Sequence, residues 1–195
     1  MADLIPLNAL GGDTPRSTSH RDMRLVEVPD LAFASVAARR GREDACEAKL
    51  AGWLGTDAPA VAQYTGDDTR AAFWTGAAQW IVATPYSAGE DLAATVKDAV
   101  GATGSVTEQT DGWTAIDLKG PHVVAVMELC CRLDRRYLRD LPAQPATGPV
   151  SAQRTSIHHI GCFVICLSPE HLRLIGPRSM AQSLFHAVET EMRAI

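Results

Sequence analysis

Four stretches of this chain repeat one helical spacing of apolar positions. Cys46, Leu50, Trp53 and Leu54 stand at i, i+4, i+7 and i+8, and so do three later sets: Leu92, Val96, Ala99 and Val100; Val123, Met127, Cys130 and Cys131; Met180, Leu184, Ala187 and Val188. Each set is one stripe on a 3.6-residue helix, so the pattern predicts four amphipathic helices, the first over residues 42–54. Three of them have readable starts. Ser87 with Glu90 has the form of a capping box, Pro121 after Gly120 suits a first helical position, and Ser179 is an N-cap residue type.

The intervening segments are short and rich in β-formers: residues 23–28, Leu31–Ala37, 72–74, 79–84, 105–109, Trp113–Leu118, 154–158, Ile160–Leu167 and 171–175. The order in each half is roughly β-α-β-β-α, an α+β pattern of ferredoxin-like kind with helices on one face of a largely antiparallel sheet. Residues 1–21 combine apolar, Gly, Pro and Ser/Thr positions without a core of their own and read as an extended arm. Residues 22–195 then form a single α+β domain of two pseudo-repeats, about 22–102 and 103–195. Gly55 to Thr69 and the proline-rich Pro142–Pro149 are the expected flexible joins.

The halves also match residue by residue. Gln79–Ser87 and the helix after it recur as His171–Ser179 and its helix, an offset of 92 residues that lays Pro85 on Pro177, Ser87 on Ser179, Leu92 on Leu184 and Val96 on Val188. That period exceeds the roughly 20–50 residues of solenoid repeats, so the repeated unit is a half-domain. Leu31–Ala37 and Ile160–Leu167 are apolar on both strand faces, whereas a sheet with helices on one side needs one apolar face. The second face is covered either by the other half's sheet or by another protein chain.

Composition narrows the function classes. At 195 residues, 46% hydrophobic and 21% charged, with a net charge of -5, the chain is an ordinary globular one without the basic face that nucleic acid requires. No window approaches the roughly 18 apolar residues of a spanning helix. The N-terminus lacks a basic leader region, and an odd set of five cysteines fits reduced thiols, so a cytoplasmic location is expected.

Motifs for chemistry are sparse. The sequence contains neither a dinucleotide fingerprint nor a P-loop, and Gly101-Ala102-Thr103-Gly104 reads as a helix C-cap. His158-His159, placed in a presumed strand, point to opposite faces rather than converging on a metal, and Cys162 and Cys166 lie four residues apart, roughly 13 Å along a strand. Cys130-Cys131 form a redox or nucleophilic pair if exposed to cations, and core residues otherwise. Asp117 is an acid within a β-like run, read as lying at a sheet edge or in a salt bridge. Arg132, Arg135, Arg136 and Arg139 share a helical face in an acidic chain; they either clamp an anionic partner or form a solvated stripe neutralised by Asp134 and Asp140.

Phe73–Val82, Leu118-Lys119-Gly120-Pro121 leading to Cys131-Arg132-Leu133-Asp134, and Pro177–Phe185 together resemble the gamma subunit of heterotetrameric sarcosine oxidase over nearly the whole chain. The resemblance implies a fold related to the folate-binding domain of the aminomethyltransferases, and a subunit bound to alpha, beta and delta partners. It further implies that FAD, FMN, NAD and tetrahydrofolate reside on other subunits, that delta binds zinc, and that this chain carries no catalytic, cofactor-binding or metal residue of its own. Related N-methyl amino acid dehydrogenases use similar subunits. Two other classes stay open: a free-standing folate-binding aminomethyltransferase-like protein, expected to show a perturbed carboxylate beside a cleft, and a homodimeric binding module.

Overall fold

The computed structural model describes residues 7–89, 91–133 and 150–195. In chain order the elements are β1 (Ser17–His20), β2 (Met23–Val28), β3 (Ala32–Ala38), α1 (Glu43–Leu54), β4 (Gln63–Gly66), β5 (Ala71–Gly76), β6 (Gln79–Thr84), α2 (Leu92–Val100), β7 (Gly104–Glu108), β8 (Trp113–Lys119), α3 (Val123–Cys130), β9 (Val150–Ile157), β10 (Ile160–Ser168), β11 (His171–Pro177) and α4 (Ala181–Ala194). The chain is a mixed α/β protein with antiparallel strand pairing. Among the described residues no helix is long and apolar enough to cross a membrane.

Two compact units divide the chain. One contains described residues 7–29, 111–133 and 154–195; the other contains 30–110 and 150–153. In the second, the strand order is β4-β5-β6-β3-β7, and Gln63 and Tyr64 of β4 also pair with Ser151 and Val150 at the start of β9. In the first the order is β9-β10-β11-β8-β2-β1. The shared part of the two orders is the same: the strand after the first helix, its two hairpin successors, the strand before that helix, then one more.

Each unit places its helices on one face, as the apolar stripes require. Ala32, Ala34, Val36, Trp80 and Val82 pack with Cys46, Leu50 and Trp53 of α1 and Leu92, Val96 and Val100 of α2. In the other unit Leu25, Ile116, Leu118, Leu172 and Leu174 meet Val123, Val126 and Met127 of α3 and Leu184, Phe185 and Val188 of α4. The opposite strand faces are buried as well: Phe33, Phe163 and Ile165 are 2%, 6% and 0% exposed in the chain by itself.

Several local expectations change. Three strands, not the two expected from sequence, lie between α1 and α2, because Gln63–Gly66, in the expected join 55–69, forms a hairpin with β5; three also lie between α3 and α4, where three are expected. The segment of the arm nearest β2 forms β1, antiparallel to it. The N-cap of α2 is Asp91, whose carboxylate accepts from the Ala94 N–H at 2.8 Å. Ser87 is committed elsewhere: its N–H and hydroxyl donate to Asp30 at 2.9 and 3.1 Å, while Glu90 lies outside the described residues. Pro121 precedes the α3 cap residue His122. Ser179 sits inside a 3-10 turn, Arg178–Met180, which moves the start of α4 to Ala181. Tyr86–Ala88 makes the equivalent turn after Pro85, so both proline corners close the same way.

Candidate functional site

The most constrained polar group is Asp117, 2% exposed on β8. It does not lie at an edge: β8 runs between β2 and β11, and the ladder sets Asp117 opposite Val26 on one side and Arg173 on the other. The Arg173 guanidinium grips the carboxylate in bidentate fashion, Nε donating to Oδ1 at 2.7 Å and Nη2 to Oδ2 at 3.0 Å. His171 Nε2 stands 2.8 Å from Oδ2, and Lys119 Nζ 3.5 Å from it. Burial by itself would raise the pKa of Asp117. The hydrogen bonds from His171 and Arg173 and the charge of Arg173 outweigh it and hold the carboxyl well below the usual range. A carboxylate held this way is a poor proton acceptor at neutral pH. The arrangement is suited to fixing cations in place, and of the two sequence readings of Asp117 it is the salt bridge that the structure contains.

A second constellation holds the arm. Glu27 on β2, 3% exposed, accepts the backbone N–H of Leu10 at 3.0 Å and of Arg16 at 3.1 Å. The Arg16 guanidinium lies 4.8 Å from the Phe185 ring centroid and reaches Glu189 at 3.5 Å. Burial acts to raise Glu189, but hydrogen bonds from Arg193 and Thr18 and the charges of Arg193 and Arg16 lower it overall. Sequence reasoning missed this clasp; the available signal is Glu27, an acid in the apolar phase of β2 set by Met23 and Leu25.

The remaining candidates resolve individually. Cys130, Cys162 and Cys166 are buried and their thiols are pushed up to about 12, chiefly by desolvation. Cys131 is half-buried and also raised by burial, its thiol 3.4 Å from the Met127 carbonyl oxygen. Such thiols are core residues, not nucleophiles. His158 and His159 are not in a strand: both have positive φ, 44° and 71°, and form the two-residue loop between β9 and β10. A hairpin loop of two residues favours this left-handed geometry because it matches strand twist. At Gly101–Gly104, Lys97 Nζ donates to the carbonyls of Gly101 and Gly104 at 2.7 and 2.8 Å, consistent with a helix-ending turn. Arg132 is exposed just beyond α3; Arg135, Arg136 and Arg139 lie outside the described residues.

No protein-family model matches the sequence, and no curated protein matches it. The likeness is in three dimensions. The chain superimposes on a chain of heterotetrameric sarcosine oxidase from Corynebacterium sp. U-96, solved in complex with pyrrole 2-carboxylate, with a TM-score of 0.73, 21% identity, and coverage of 88% of this chain and 84% of that one. It shares that chain's fold. A lower likeness, TM-score 0.55 at 11% identity, relates 86% of it to 45% of the glycine cleavage system aminomethyltransferase T from Bartonella henselae. This chain thus spans less than half the length of that aminomethyltransferase.

Among the described residues the large exposed apolar side chains are Leu7, Val61, Tyr86, Leu129 and Met180. Leu129 and Arg132 stand three positions apart at the C-terminal end of α3, where the arginine-rich segment departs. Tyr86 and Met180 occupy the corresponding 3-10 corners of the two units.

Proposed function

We propose that this chain is a gamma-type, non-catalytic subunit of a heterotetrameric complex that oxidatively demethylates sarcosine to glycine, a one-carbon unit and hydrogen peroxide. Its contribution is assembly and stability, with alpha, beta and delta subunits as partners and with FAD, FMN, NAD and tetrahydrofolate held by those partners. The observation that carries this reading is the end-to-end likeness of fold to a sarcosine oxidase chain, 88% of this chain on 84% of that one. The shared part of the two units' strand orders and the 92-residue sequence offset support a duplicated half-domain as the origin of the scaffold. The tight engagement of Asp117 by Arg173, His171 and Lys119 agrees with a structural acid.

The test is to express the chain alone and together with candidate flavoprotein subunits, and to follow mass by size-exclusion light scattering, flavin absorbance, and sarcosine-dependent peroxide. A colourless, inactive chain that joins a yellow, active complex supports the proposal. Peroxide formed from N-methylglutamate but not sarcosine would reassign the complex to a related N-methyl amino acid oxidation. The likeness to aminomethyltransferase T favours a second reading, a folate-binding protein, which saturable binding of tetrahydrofolate by the isolated chain would establish.

A further inference from the structure

The face of the first unit's sheet that points away from α3 and α4 is divided into two ends. At one end Trp113 and Phe163 pack with ring centroids 6.0 Å apart. At the other the ladder sets Arg24 of β2 directly opposite Lys119 of β8, and Lys119 directly opposite His171 of β11. Three basic residues thus stand in one row across three neighbouring strands, about 10 Å from end to end at ordinary strand spacing. One step along, Asp117 faces Arg173.

This row is unfavourable as it stands. Like charges directly opposite on adjacent strands repel, and Arg24 has no ion pair among the described residues. Lys119 has Asp117 at 3.5 Å, but that carboxylate is already bound by Arg173 and His171 at 2.7–2.8 Å. The acids of the adjoining turns, Asp22 and Glu170, are exposed and make no ion pair with the row among the described residues. Lys119 keeps 46% of its side chain exposed and His171 25%. Asp117 anchors the middle of the row from a buried position, and its single charge is shared between Lys119 and Arg173 while Arg24 has no acid of its own among the described residues. In a chain of net charge -5, such a row is an arranged feature of one face.

We propose that Arg24, Lys119 and His171 form a docking site for an acidic segment of a partner protein, one that brings several Asp or Glu carboxylates onto the sheet face. Charge complementarity selects the occupant: the row supplies two partly exposed cations, Arg24 and Lys119, with the His171 ring beside them, and it is too short to track a phosphate backbone. The inference does not depend on which amine the complex oxidises, and it places the acidic contact on residues other than the arginines beyond α3.

The test uses the intact chain and a fluorescein-labelled octaglutamate peptide, read by anisotropy at low and high salt. Wild type binds at low salt and loses the peptide at high salt. Reversal of the row in Arg24→Glu/Lys119→Glu weakens binding at least about tenfold, whereas reversal of exposed cations elsewhere, Arg39→Glu/Arg40→Glu, changes it less than about twofold. The milder Arg24→Gln variant also weakens binding and leaves the melting temperature unchanged or raised, because it removes a repulsion. Absence of binding by wild type, equal weakening by the two reversals, or equally tight binding of an octathymidylate oligonucleotide would overturn the proposal.

Discussion

Replacing Asp117 by Asn removes the charge at the centre of the first unit's sheet and leaves the shape almost unchanged. Its carboxylate is 3% exposed, and the side chains of Arg173, His171 and Lys119 are 19%, 25% and 46% exposed. Breaking a fully buried ion pair costs about 3–5 kcal/mol because the remaining charge is stranded. Here the cations retain access to water, so a loss of about 2–3 kcal/mol is expected for Asp117→Asn. For a chain of this size that lowers the melting temperature by roughly 4–12 °C. Circular dichroism melts at neutral pH measure it directly. The pH dependence has a definite sign. Asp117 is depressed in the folded state, so its contribution is fully present above the unfolded carboxylate value near 4 and is lost as the pH falls from there toward the folded value. The gap between wild type and Asp117→Asn is therefore present at neutral pH and closes progressively below about pH 4. A gap below about 0.5 kcal/mol at neutral pH, or one that widens on acidification, would refute the account of this cluster.

Two further changes probe the clasp and the hairpin. Glu27→Ala leaves two backbone donors without their acceptor; a loss of about 1–3 kcal/mol is expected, with faster hydrogen exchange over residues 7–20 and with trypsin cleavage after Arg16 as the readouts. Replacing His158-His159 by Asn-Gly supplies residue types that accept positive φ at both loop positions and should stabilise by about 0.5–1 kcal/mol in urea unfolding.

How much the sequence disclosed follows the physics of each feature. Helix stripes are set by a local period: α1 falls within one residue of its expected 42–54 and α3 starts two residues past Pro121, whereas α2 starts at Leu92, well beyond the expected Ser87 cap. Caps depend on where the preceding chain turns, which is why Asp91 displaced Ser87 and a 3-10 turn absorbed Ser179. β1 and β4 are not announced by pattern because Ser17–His20 and Gln63–Gly66 are four-residue strands with few apolar positions, each held by a hairpin with the strand that follows it, and β4 also by β9. The His-His loop was read as strand because nothing in the residue types announces positive φ. Of the polar network, Asp117 could be singled out in its strand, but its alignment with Arg173 and His171 needed the register between β8 and β11.

The way the first unit is assembled from the chain has a consequence for its synthesis. Residues 30–110 supply most of the second unit in one continuous stretch, so most of its strands and both its helices can come together as soon as that stretch has emerged. β2 is made earlier, yet its inner neighbour β8, pairing Leu25 with Leu118, emerges roughly ninety residues later, several seconds of translation at ordinary ribosomal rates. During that interval β2 has an unfilled side, and β1, its hairpin partner, is the neighbour available to it on the other.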